Sequence, residues 1–187
     1  MRAKKVETFM TLAGQPVGKA LHTGTPEQRK LGAQLLLSEV LEYVIVGLGI
    51  HPEVNGVKIT DPEDVQYILS GKEPDKLEML DGLADVAYTM YWNANAFGLQ
   101  LEEAYELVCD NNLDKFVQLD NWQTGECALQ PSEWGCNQDV TWPDEVVKVE
   151  TVKVNGSYFA VGKDGRGKVR KPSSFTPVDL SELVANG

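Results

Sequence analysis

Two apolar stretches that carry acidic residues at helical spacing, 35-LLLSEVLEYV-44 and 77-LEMLDGLADVAYTMYW-92, decide the fold of this chain. The first contains Glu39 and Glu42, and the second contains Glu78, Asp81 and Asp85. At about 100° per residue, positions i, i+3 and i+7 fall within roughly 60° of one another on a helix. Each stretch therefore predicts a helix with one carboxylate face set among apolar side chains.

The residues around these acids favour a metal site over an ordinary solvated surface. No Lys or Arg lies between Leu77 and Trp92, whereas a surface stabilised by salt bridges would place cations about four residues from its acids. Carboxylates near a core pair with cations, take up a proton or coordinate a metal. Several of them together suit a hard cation such as Mg²⁺ or Mn²⁺. We therefore expect both faces to lie close to a core, with two solvated faces as the alternative.

The composition limits the classes of function. The chain has 187 residues, of which 42% are hydrophobic, and a formal net charge of −11. That charge argues against stable nucleic-acid binding, whose affinity comes largely from neutralised phosphates. No apolar run reaches the length of about 18 residues that spans a membrane, and the start, MRAKKVETFM, lacks an apolar secretory core. We expect a cytoplasmic protein with free thiols at Cys109, Cys127 and Cys136.

Start signals and periodicity predict the order of elements. Thr25-Pro26-Glu27 is typical of a helix start, with Thr as the N-cap and Pro in the first turn. Asp61-Pro62-Glu63 repeats this signal. The predicted helices cover about 3–12, 26–47, 61–71, 74–97 and 101–116. Glu102, Glu103 and Glu106 lie off the apolar stripe of the last of these, so we expect them to be solvated.

The helical periodicity of the sequence ends after Phe116. Residues 117–144 show no clear period, and residues 145–162 alternate apolar and polar around Asn155-Gly156, which is a strong hairpin signal. A loop-like tail, 163–180, leads to a last helical turn near Val184. The predicted fold is mainly α, with a helical domain at 1–116. Residues 117–187 add a small C-terminal β-hairpin and an extended basic tail, as an appendage within the same globular unit.

Asn112 and Lys115 end the last long helix in 110-DNNLDKF-116. An amide and a cation three residues apart can both contact a polyphosphate, because charged groups make strong hydrogen bonds to phosphate. The alternative is structural, since a lysine at a helix C-terminus commonly complements the helix dipole. The residues alone leave both interpretations open.

The order ExxE, ExxD and Asn-x-x-Lys-Phe resembles the all-α nucleoside triphosphate pyrophosphohydrolases. This superfamily includes MazG-like proteins, phosphoribosyl-ATP pyrophosphohydrolases and dimeric dUTPases. The matching pieces cover more than half of the chain, and the central one is the most specific. They are 6-VETFMTLAGQPV-17, 35-LLLSEVLEYV-44, 78-EMLDGLADVAYTMYWNANAFGLQLEEAYELVCDNNLDKF-116 and 164-DGRGKVRKPSSFTPVDL-180.

The resemblance implies a four-helix core completed by oligomerisation, as a homodimer or homotetramer. It also implies cleavage of a (d)NTP to a (d)NMP and pyrophosphate with two or three Mg²⁺ or Mn²⁺ ions per site. The metal ligands would be Glu39, Glu42, Glu78, Asp81 and Asp85, with Glu39 and Asp85 also catalytic. Phosphate contacts would come from Asn112 and Lys115. A basic segment with Arg166, Lys168, Arg170 and Lys171 would close over the polyphosphate, and Arg166 and Lys171 are its assigned substrate-binding residues.

Two departures from the family pattern bear on catalysis. Members often have an acid at the position of Ser38 and a Glu at the position of Gly82, so the general base is left open between Glu39 and Asp85. The stretch between Glu42 and Glu78 is also longer than usual, which suggests an inserted loop.

The base preference is open as well. Tyr88 and Trp92, with Tyr91, Asn93 and Asn95, are candidates for a nucleobase pocket, although aromatic residues at helical spacing also pack in cores. The chain is similar in size and type to phage MazG-like proteins of the MazZ type, which hydrolyse dGTP to dGMP. Such an origin would place it in the host cytoplasm. The alternatives are hydrolysis of dUTP or a non-standard nucleotide, a catalytically weak nucleotide-binding regulator, and a structural helical module.

Overall fold

The computed structural model describes residues 3–120, 128–129, 133 and 139–185. The helices are α1 (Ala3–Leu12), α2 (Pro26–Glu42), α3 (Lys76–Phe97), α4 (Leu101–Leu113) and α5 (Ser181–Ala185). The strands are β1 (Glu53–Val54), β2 (Val57–Lys58), β3 (Val117–Leu119), β4 (Ala128–Leu129), β5 (Val146–Val154) and β6 (Ser157–Asp164). The mainly helical class expected from the sequence is confirmed.

The chain divides into two compact units. One unit is Lys19–Val86, and the other combines Met1–Gly18 with Ala87–Gly187. Helix α3 therefore contributes its first half to one unit and its second half to the other. The division at residue 116 expected from the sequence stays a prediction.

A capping box starts α2 in the unit Lys19–Val86. The Thr25 hydroxyl accepts a hydrogen bond from the Gln28 backbone N–H at 3.2 Å, and the Gln28 side chain accepts one from the Thr25 N–H at 2.8 Å. Two N–H groups at the helix start are thereby satisfied. The predicted helix of 26–47 is confirmed, although its end, Tyr43–Gly47, widens into a π-helical turn.

The helix expected at 61–71 is wrong, because only a 3₁₀ turn forms, at Pro62–Asp64. Asp61 caps this turn, and its carboxylate accepts from the Glu63 N–H at 2.8 Å. Val65 then adopts an extended conformation, with φ −86° and ψ 122°. Valine is stiff at χ1 and favours extended backbone, so the start signal is correct but the helical conformation ends at Val65.

A four-stranded antiparallel sheet of order β3-β6-β5-β4 forms in the other unit. Its centre is the predicted hairpin, in which Asn155 and Gly156 have φ of 50° and 89°, as a tight hairpin turn requires. The sequence predicted only this hairpin. Residues 117–144, which show no clear period, supply two further short strands of the sheet. Trp122, Trp134, Cys127 and Cys136 lie outside the described residues.

Two clusters of buried hydrophobic residues lie on this sheet. Leu119, Trp142, Val146, Val149 and Ala160 form one buried cluster. A second cluster joins the sheet to α1 and to the end of α4, through Leu12, Ala13, Phe116 and Val161.

Within Lys19–Val86, all of which the structure describes, Leu41 is the only buried side chain. The expectation that the acidic faces lie close to a core is therefore wrong for the single chain. The regular spacing correctly predicted the helices, but no apolar layer among the described residues covers them. No described helix is both long and apolar enough to cross a membrane.

Candidate functional site

The five predicted metal ligands lie on two helices and all are exposed. Glu39 and Glu42 occupy the last turns of α2, and Glu78, Asp81 and Asp85 occupy the first half of α3. The Asp75 carboxylate caps α3 by accepting from the Leu77 N–H at 2.8 Å. Glu78 thus lies in the first turn, where the helix dipole favours negative charge.

These carboxylates do not converge in one chain. The described residues contain no group of three or more His, Cys, Asp or Glu side chains that would hold a metal ion. The donor chemistry suits a hard cation, because all five side chains offer carboxylate oxygens.

Large apolar side chains next to the acids are also exposed. On α3, Leu77, Leu80 and Leu83 are 71%, 64% and 59% exposed, and Leu35, Leu36 and Val40 of α2 are exposed as well. Exposed large apolar side chains that cluster along a helix mark an interaction site more often than a free protein surface. We call these six residues, three on each helix, the leucine face.

Ser38 and Gly82, the two positions that depart from the pattern of the resembled superfamily, have simple local environments. The Ser38 hydroxyl donates to the Leu35 carbonyl oxygen at 3.3 Å, so it is turned back onto its own helix. Gly82 has open space around its α-carbon. Neither residue replaces a missing acid.

Asn112 and Lys115 are brought together as the sequence suggested. The Lys115 ammonium donates to the Asn112 side-chain oxygen at 2.6 Å. The Asn112 amide nitrogen donates in turn to the Val108 carbonyl at 3.0 Å, which orients the amide so that its oxygen accepts from the lysine. The result is a half-buried ammonium with a fixed neighbour.

Helix α1 is attached to α4 beside this pair. The Lys5 ammonium lies 2.6 Å from Asp110 and 2.8 Å from Glu106. Hydrogen bonds to Asp110 and then to Glu106 raise the pKa of Lys5 above its ordinary value. The expectation that Glu102 and Glu106 are merely solvated is wrong, because both are half-buried and Glu102 accepts from the Tyr91 hydroxyl at 2.8 Å.

An aromatic groove of about 380 Å³ runs along the second half of α3. Four of the five residues named as candidates for a nucleobase pocket line this groove, whereas Asn93 donates to the Thr89 carbonyl at 2.9 Å. Tyr88 and Trp92 are 70% and 58% exposed, so their ring faces are available for stacking. The lining residues are Tyr88, Tyr91, Trp92, Asn95 and Ala96.

The basic tail is ordered by an acid that sequence reasoning missed. Buried Asp164 accepts from the backbone N–H groups of Arg166 and Lys168, both at 2.9 Å, and pairs with Arg170 at 2.8 Å. The Lys168 and Arg166 N–H groups and the Arg170 guanidinium hold the pKa of Asp164 below its ordinary value.

This arrangement divides the basic residues of the tail into two sets. Arg170 pairs with Asp164, and its expected contact with a polyphosphate stays a prediction. Arg166 and Lys168 stay exposed, as does Lys171, whose ammonium lies 4.7 Å from the centre of the Phe175 ring.

Asn111 is a second residue that the sequence did not single out. Its side-chain amide donates to the Thr176 carbonyl at 2.6 Å and accepts from the Val178 N–H at 3.2 Å. Gln100 adds a bond to the Leu183 carbonyl at 2.9 Å. The C-terminal tail is thereby docked next to Asn112, through partners more than sixty residues apart in sequence.

No protein-family model, curated protein or solved structure matches this chain. Function is therefore inferred from the residues and their placement.

Proposed function

We propose that this protein is a metal-dependent nucleoside triphosphate pyrophosphohydrolase, which cleaves a (d)NTP into a (d)NMP and pyrophosphate. The observation that carries the proposal is the pairing of five exposed carboxylates on α2 and α3 with the uncovered leucine face. A solvated acidic surface would carry Lys or Arg near its acids and would not expose large leucines next to them. Exposed leucines without nearby cations are the features that we expect at a site completed by a second surface.

The second surface in this proposal is another copy of the chain, which makes a MazG-like four-helix core. Covering the leucine face would remove apolar area from water, which stabilises by roughly 25 cal/mol per Å². The same assembly would bring carboxylates of α2 and α3 together from a homodimer, or from a homotetramer built of dimers. This accounts for the lack of a complete ligand group among the described residues of one chain.

The acidic side chains would bind the metal ions and orient the attacking water. Glu39, Glu42, Glu78 and Asp81 would hold Mg²⁺ or Mn²⁺, and Asp85 would hold or orient a further ion. When bound, these ions supply charge neutralisation of the phosphates and a more acidic water. Glu39 and Asp85 are the candidates to orient that water and take its proton, because the Ser38 hydroxyl is turned toward the Leu35 carbonyl.

Helix α3 also supplies candidates for binding the base. Tyr88 and Trp92 are spaced i, i+4 on α3, so they share a face. Tyr88 and Trp92 would then stack the base, and Asn112, Lys115, Arg166 and Lys171 would contact phosphates.

Substitution of one ligand tests the proposal. We expect Glu78→Gln to abolish release of pyrophosphate with the fold intact, because the amide removes a charge without changing the shape of the side chain. Glu73→Gln is the matched control, since Glu73 is also exposed but lies before α3. Equal turnover by wild type and Glu78→Gln, measured with a pyrophosphate assay, would overturn the proposal.

A further inference from the structure

Phe9 lies against the ammonium of Lys115. The Lys115 nitrogen is 5.7 Å from the centre of the Phe9 ring, which is within the range of a cation–π contact. Asn112 binds the same ammonium at 2.6 Å. The lysine head is thus held by a side chain of α4 and by a ring of α1.

The Phe9 ring is itself fixed in place. It packs edge-to-face on buried Phe116, with ring centres 5.2 Å apart and an interplanar angle of 68°. It also lies against the cluster of Leu12, Ala13, Phe116 and Val161. The salt bridges of Lys5 to Glu106 and Asp110 hold α1 on α4 one turn earlier. The ring position is therefore set by α1 and α4 together.

We propose that Phe9 is a positioning residue, which holds the Lys115 ammonium in place for the phosphate chain of the substrate; this rests on the proposed function. Lysine has a flexible stem, and ordering it when substrate binds is entropically unfavourable. A ring face and an amide oxygen that already hold the ammonium reduce that loss. A lysine that only complements the helix dipole would not depend on a ring from α1.

Two substitutions of Phe9 distinguish an effect of the aromatic ring face on Lys115 from an effect of apolar packing. Phe9→Leu keeps an apolar side chain against Phe116 but removes the ring, and Phe9→Tyr keeps the ring. The matched control is Tyr158→Leu, which removes a cation–π contact of similar length, 5.1 Å to Lys153, from the β-hairpin. We expect Phe9→Leu to raise KM for the nucleotide about two- to tenfold with little change in kcat. Phe9→Tyr should restore KM, and Tyr158→Leu should leave it unchanged.

A second readout does not depend on turnover. In ¹⁵N-lysine NMR spectra, with the Lys115 ammonium signal assigned by Lys115→Arg, the ring face should shift that signal in wild type and in Phe9→Tyr. The shift should be lost in Phe9→Leu. If wild type hydrolyses no nucleotide, the proposed function fails, and this signal alone decides whether Phe9 holds Lys115. An unchanged Lys115 signal in Phe9→Leu, or a KM equal to wild type in an active enzyme, would overturn the positioning role.

Discussion

The Trp142 ring packs against Gly162, where the absence of a side chain leaves room for it. A β-carbon added at Gly162 would lie 2.3 Å from Cε3 of Trp142, a ring that is 8% exposed in the sheet core. Gly162→Ala should therefore lower the free energy of unfolding by about 1–3 kcal/mol through overpacking. Gly165→Ala, which meets nothing within 4 Å, should have little effect. Urea denaturation measures both, and equal midpoints for the two variants would contradict this account of the core.

Asp164 should make the stability of the sheet unit depend on pH. Its folded pKa lies below the ordinary value because of the Lys168 and Arg166 N–H groups and the Arg170 guanidinium. Its bonds therefore stabilise the fold above about pH 4, and this contribution is lost as the pH falls through the folded pKa.

The corresponding variant is Asp164→Asn, which turns an amide toward Arg170. It should unfold at lower urea concentration than wild type at pH 7, and the gap should narrow as the pH falls below about 4. Urea midpoints measured from pH 7 to pH 2.5 test this. A gap that is the same at every pH would show that the carboxylate charge is not what orders the tail.

Residue roles were predictable where the partners are close in sequence. The Thr25 cap and the contact of Lys115 with Asn112 each span three residues. Asn111 and Asp164 were missed for different reasons. Asn111 binds a tail 65 residues away, whereas Asp164 acts within a local turn whose Asp-Gly-Arg-Gly sequence was a usable signal.

Among the elements, α2 depends on its N-terminal cap. Thr25→Ala removes the acceptor of the Gln28 N–H and should cost about 1 kcal/mol of helix stability. Thr25→Ser keeps the hydroxyl and should behave as wild type. Urea unfolding followed by helical circular dichroism provides the comparison. A loss of equal size in both variants would mean that the methyl group of threonine, and not the capping bond, supports the helix.

Periodicity and turn chemistry predicted most elements because both act within a few residues. The Asn-Gly signal found the β5–β6 hairpin, and the same dipeptide at 55–56 makes the unpredicted β1–β2 hairpin, with φ of 52° and 80°. Strand β3 was missed because three residues carry no period, and its pairing with β6 comes from distant sequence. Periodicity also located the acidic faces of α2 and α3, but burial depends on a covering surface that a local pattern cannot show.

For the whole molecule, the leucine face predicts self-association. Leu80→Glu would place a charge where the proposed second copy packs, so it should convert the proposed homodimer or homotetramer into a smaller species. Leu21→Glu is the matched control, because Leu21 is 66% exposed and Leu80 is 64% exposed, but Leu21 lies in the loop before α2. Sedimentation velocity at micromolar concentration distinguishes them. A wild-type monomer, or a Leu80→Glu oligomer of wild-type size, would contradict the proposed four-helix core.

Product analysis tests directly whether the protein cleaves between the α and β phosphates. Each common NTP and dNTP would be incubated with the wild-type protein and Mg²⁺ or Mn²⁺, and the products would be resolved by chromatography. We predict monophosphate and pyrophosphate in equal amounts from one or two nucleotides, with dGTP favouring the resemblance to the phage proteins and dUTP a housekeeping role. Diphosphate with orthophosphate, or no turnover of any nucleotide, would contradict the claim.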